Sequence, residues 1–101
     1  MTEKVKQTLE ELILIIRSEN LPLEQVYLFG AYSTGKYDAS SRIDTALVFT
    51  EFEDLDIFQK YLNRLKRKID FKLELYPFTT DSFNLDDPLA KQILKTGINI
   101  L

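Results

Sequence analysis

The segment Leu28–Phe49, LFGAYSTGKYDASSRIDTALVF, constrains the fold more than any other part of this chain. Two apolar runs flank a loop of small and polar residues, and the second run opens with Arg42 and Asp44 two positions apart. Short apolar runs rich in β-branched and aromatic residues and bounded by Gly, Ser and Asp read as buried strands. "QVYLF" and "RIDTALVF" are therefore neighbouring strands, with the loop at one end of a sheet. Side chains alternate across a strand. If Ile43, Leu47 and Phe49 face a core, Arg42, Asp44, Ala46 and Val48 face away from it. A cation and an anion thus share one face of an otherwise apolar strand.

Around this unit the pattern predicts three helices and a third strand. Val5, Leu9, Leu12, Ile13 and Ile16 recur at helical spacing from Thr2 onward, and the Asn20–Leu23 loop with Pro22 ends that helix. Asp54 caps a second helix with the stripe Leu55, Phe58, Leu62 and Leu65, and its last turn, Lys66, Arg67 and Lys68, suits the helix dipole. "DFKLELYPF" alternates, with Phe71, Leu73 and Leu75 on one face and Asp70, Lys72 and Glu74 on the other. Asp87 followed by Pro88 starts a third helix, which Gly97 closes before the tail "INIL". The order helix, strand, strand, helix, strand, helix predicts an α+β fold: a small mixed β-sheet with helices packed on one face. The other face then carries Arg42, Asp44, Asp70, Lys72 and Glu74.

Composition narrows the chemistry. At 101 residues and 45% apolar content the chain is expected to be one domain, residues 1–101. The absence of cysteine and histidine removes disulfides, thiol nucleophiles, imidazole catalysis and the common zinc sites. Any metal must be a hard cation held by carboxylates. A net charge of −3 argues against nucleic acid as a partner. The apolar run Leu12–Ile16 is short and flanked by charge, so neither a secretion signal nor a membrane span is expected, and the protein is predicted to be cytoplasmic.

Carboxylates converging from two strands are what a magnesium site for phosphoryl transfer requires, and a glycine loop beside them lets a triphosphate approach backbone amides. The loop here runs from Gly30 to Gly35. In this register the chain resembles the minimal nucleotidyltransferases of the DNA polymerase beta superfamily. Their signature is Gly-Ser, ten residues, then Asp-x-Asp, and this chain has Gly30-Ala31, the ten residues Tyr32 to Ser41, then Arg42-Ile43-Asp44. "KIDFKLEL" resembles the family's third-carboxylate strand, with Asp70 at the metal position, and "DPLAKQILKTGINIL" resembles a common family ending. The resemblance implies nucleotide binding at Gly30, Ala31 and Gly35, catalytic and metal-binding roles for Asp44 and Asp70, and Mg2+ and ATP as cofactors.

The departures fall on the same positions. Ala31 lacks the hydroxyl that binds phosphate in the family, Thr34 replaces a loop arginine, and Arg42 puts a cation where a metal ligand belongs. At about 4 Å and an effective dielectric near 20, one unit pair interacts by roughly 4 kcal/mol, so a divalent ion facing the guanidinium meets up to roughly twice that repulsion. Arg42 is expected to fill the metal's space and pair with Asp44 and Asp70. Family members of this size accompany HEPN-type toxins, so the resemblance implies an antitoxin-like protein with an impaired metal site that acts by binding its partner protein. The alternative is an active Mg-ATP-dependent adenylyl transferase that modifies a HEPN-type toxin, with Asp44 and Asp70 holding the metal.

Overall fold

In the computed structural model, which describes residues 1–101, the Thr2 hydroxyl accepts the Val5 N–H at 3.2 Å and starts helix α1 (Glu3–Ser18). Val5, Leu9, Leu12 and Ile16 form its buried stripe. The chain continues through β1 (Leu23–Phe29), the one-turn helix α2 (Ala31–Thr34), β2 (Ile43–Phe49), α3 (Leu55–Ile69), β3 (Leu73–Thr79), α4 (Pro88–Thr96) and β4 (Ile98–Asn99). The strands form one sheet in the order β3-β2-β1-β4. β1 runs antiparallel to β2 and β4, while β3 is parallel to β2. A parallel pair needs a crossover, and α3 supplies it. The α+β class and the mixed sheet agree with the sequence reading, which lacked α2 and β4.

The helices are not all on one face. The stripes of α1 and α3 cover Val26, Leu28, Ile43, Leu47, Phe49, Leu73 and Leu75. On the opposite face Ala90 and Ile93 of α4, together with Phe83, pack on Tyr27, Phe29, Ala46, Val48 and Phe78. The second core exists because Ala46 and Val48 are apolar side chains at the outward parity and need cover. What stays open is the end of that face at Asp44 and Glu74, both half-buried.

Two local expectations change. Leu55 is 53% exposed, because Phe52 and Phe58 occupy the space over Phe49, their rings 6.2 and 4.8 Å from its ring. The alternating run does not become a strand at Asp70. The Asp70 N–H still bonds the Lys66 carbonyl at 2.9 Å, its carboxylate accepts the Lys72 N–H at 2.9 Å, and Leu73 N–H returns to the Asp70 carbonyl at 3.0 Å. Residues 70–72 therefore turn, and Phe71 projects into solvent at 76% exposure instead of facing the core. No helix is long and apolar enough to cross a membrane.

Candidate functional site

Gly30 ends β1 at φ 72°, ψ −140°, a conformation that L side chains rarely adopt. Its carbonyl accepts the Ser33 and Thr34 N–H groups at 3.1 and 3.2 Å, which winds Ala31–Thr34 into α2. Gly35, at φ 78°, ends that turn in the left-handed region. Tyr32 is buried beneath the loop and stacks on Tyr37, ring centroids 4.5 Å apart. Gly30 meets a further constraint, since a Cβ there would overlap the Asp44 carboxylate, with Asp44 Cγ only 3.3 Å away. The first glycine of the loop and the strand carboxylate are thus in contact.

Asp44 stands opposite Glu74 in the parallel register of β2 and β3. Arg42 Nη1 donates to Glu74 Oε1 at 3.3 Å, and Lys66 Nζ donates to the same oxygen at 3.0 Å. Burial pushes the Asp44 carboxyl above its ordinary value, the Glu74 charge adds to the rise, and Arg42 and the Tyr76 hydroxyl oppose it. The Tyr76 hydroxyl is itself pushed up by burial and by Asp44 and Glu74.

The expected convergence of Arg42, Asp44 and Asp70 is corrected by this arrangement. Arg42 pairs with Glu74 rather than with Asp44 or Asp70. Asp70 closes α3 and lines a hollow of about 440 Å³ with Val5, Tyr32, Tyr37 and Ile43, among side chains of the helix-covered side, whereas Asp44 faces the other way. The strand parity that would have carried Asp70 to Asp44 holds only where the chain is extended, which begins at Leu73. Glu74, which the alternation put on the open face, is the carboxylate that stands opposite Asp44. Lys66, read as a helix-dipole partner, reaches round the edge strand to it. The signal for Glu74 was its place in the alternation; for Lys66 there was none, since the contact spans two elements.

Whether these side chains suit a magnesium ion follows from the donor set. Asp44 and Glu74 are two carboxylates with Arg42 standing where the nucleotidyltransferase pattern has a third, one Glu74 oxygen already holds two cations, and no three acidic, histidine or cysteine side chains are grouped to hold a metal. The residues present do not fit the ion. Asp44 makes a testable consequence. Its folded pKa lies above the unfolded 3.8, so the folded state binds more protons and stability falls as pH rises through that interval and stays lower at neutral pH. Asp44→Asn is expected to stabilise the protein at about pH 7 by under about 1 kcal/mol, a gain that disappears below the unfolded pKa. Urea denaturation of both proteins at the two pH values measures it, and a loss at neutral pH contradicts it.

Residues 10–101 match the family Polymerase beta, Nucleotidyltransferase. A toxin-antitoxin structure with AMP-PNP is similar over 99% of this chain and 73% of its own, at TM-score 0.68 and 23% identity. A mutant MntA-HpeT toxin-antitoxin is similar over 91% and 71%, at TM-score 0.67 and 23% identity. The complex of tri-AMPylated Shewanella oneidensis HEPN toxin with MNT antitoxin is similar over 96% and 71%, at TM-score 0.66 and 21% identity. Below 25% identity these likenesses are likenesses of fold. No curated protein sequence matches the chain. With the family pattern covering all but the first nine residues and the glycine loop seated on the strand carboxylate, the chain belongs to the polymerase beta nucleotidyltransferase family.

Proposed function

We propose that this protein, a single cytoplasmic domain, acts by binding a partner protein as an antitoxin does, the partner being a HEPN-type toxin, and that it does so without two-metal nucleotidyl transfer. The observation that carries this reading is the engagement of Glu74 by both Arg42 and Lys66. A site whose second carboxylate is neutralised by two resident cations has no use for a divalent ion, while the fold that presents its surfaces is intact. The similar folds support the partner class, since they come from toxin-antitoxin complexes, one of them with a HEPN toxin. An AMP-PNP complex among them supports nucleotide binding at the Gly30 loop, where Ala31 offers backbone but no hydroxyl.

The test is incubation with a HEPN-type toxin, magnesium and labelled ATP. A stoichiometric complex is expected that forms equally with magnesium or with a chelator, suppresses the toxin, and leaves the toxin unlabelled. Label on a toxin tyrosine would return the protein to catalysis, with Asp44 and Glu74 as the residues to examine.

A further inference from the structure

We propose that the groove along the first half of α3 is a docking surface for a basic, amphipathic segment of a partner protein. The groove is a hollow of about 230 Å³ lined by Phe52, Glu53, Asp54, Ile57, Phe58 and Tyr61. It continues into a second hollow, of about 310 Å³, that shares Phe52 and Glu53 and reaches Pro22 and Glu51. Its floor is a row of stacked rings, Phe52 on Phe58 at 4.8 Å and Phe58 on Tyr61 at 5.9 Å. The Tyr61 hydroxyl donates to Glu19 Oε2 at 2.7 Å and fixes the far wall to the end of α1. Beside this floor Ile57 is 67% exposed, and Leu55 adds a further exposed apolar side chain. Aromatic side chains arranged as a firm floor next to exposed aliphatics are what a binding surface offers to an apolar anchor.

Charge selects the occupant. From Ile43 to Gln59 the chain carries Asp44, Glu51, Glu53, Asp54 and Asp56, and no cation lines either hollow, the exposed Lys60 being the first one beyond them along α3. Of the acidic side chains, Glu51, Glu53 and Asp54 line the two hollows and are exposed. A nucleic acid or an anionic membrane meets repulsion there. A second copy docking by the same patch places the acidic rim against itself, because a two-fold contact is self-complementary. A helix or extended segment with lysines or arginines flanking one or two apolar side chains satisfies both the floor and the rim. This surface rests on the partner-binding reading for its biological use, while its chemistry is testable alone.

The probe is a fluorescein-labelled amphipathic peptide with lysines on one face and leucines with one phenylalanine on the other. Its counterpart has glutamates in place of the lysines. Saturable binding of the lysine peptide is expected, with amide shifts concentrated at residues 52–61 and little binding of the glutamate peptide. Ile57→Asp, at a solvent-facing position, should weaken binding by about tenfold or more. Glu51→Lys with Glu53→Lys should weaken it similarly and flatten its salt dependence, while Leu85→Asp, exposed outside the groove, should leave it unchanged. The proposal is overturned if the two groove variants bind as the parent does, if the glutamate peptide binds equally, if no saturable binding occurs, or if shifts fall elsewhere. Sedimentation showing self-association that Ile57→Asp abolishes overturns it in favour of a second copy. Absence of toxin binding by the parent protein while the peptide still binds sinks the toxin reading and leaves the groove standing.

Discussion

Gly30→Ala will lower folding stability by about 2–5 kcal/mol, which combines the strain of a side chain in a backbone region near-exclusive to glycine with the overlap of the new methyl group and a packed neighbour. The two causes are separable. The φ of 72° belongs to the backbone, whereas the overlap is with the Asp44 carboxylate, whose Cγ lies 3.3 Å from the would-be Cβ. Asp44→Ala removes that carboxylate and leaves Asp44 Cβ at 3.4 Å, an ordinary contact. The double variant should therefore recover the overlap and keep the strain, giving a favourable interaction of about 1–3 kcal/mol in a double-mutant cycle. Equilibrium urea denaturation of the four proteins measures it. Strict additivity would show that loop and strand are not in contact in solution. A loss of this size is a large fraction of the net stability of a chain this short, so the single variant will be close to unfolding when warmed.

Most of the fold was legible because its signals are local. The caps at Asp54 and Asp87 each find the N–H that the sequence promised, and the parity of β2 places Ile43, Leu47 and Phe49 against α1 and α3 as expected. Legibility failed where a local pattern met a competing local structure. Asp70 belongs to an alternating run, yet its own carboxylate bonds the Lys72 N–H and turns the chain, so alternation counted from Asp70 misplaced it relative to Glu74. It failed again where cover came from far along the chain. Ala46 and Val48 have no exposed surface because α4 folds back over them, and nothing in the strand says which segment will do so. The candidate site was half legible for the same reasons. Gly30, Arg42 and Asp44 lie within one segment, whereas Lys66 comes from another element.

Arg42→Asp with Lys66→Met will convert the protein from indifferent to responsive toward magnesium. The first change adds a carboxylate beside Asp44 and Glu74, and the second frees the Glu74 oxygen that Lys66 Nζ now holds at 3.0 Å. Without metal, three carboxylates crowd one end of the sheet face, Asp44 is pushed further above its ordinary value, and the variant should be less stable than the parent. With free magnesium about a hundredfold above its dissociation constant, binding to the folded state alone restores about 2.7 kcal/mol, a rise in Tm of roughly 10–20 °C for a domain of this size. The parent should shift by about 1 °C or less, because Arg42 and Lys66 already offset the charge of Asp44 and Glu74, leaving a divalent ion no net Coulomb attraction at the site. Arg42→Asp alone is the informative intermediate. Lys66 still occupies Glu74 in that protein, so its magnesium response should be clearly smaller than that of the double variant. Equal responses would remove Lys66 from the account, and a double variant whose Tm ignores magnesium would mean that Asp44 and Glu74 cannot share an ion even when both are free.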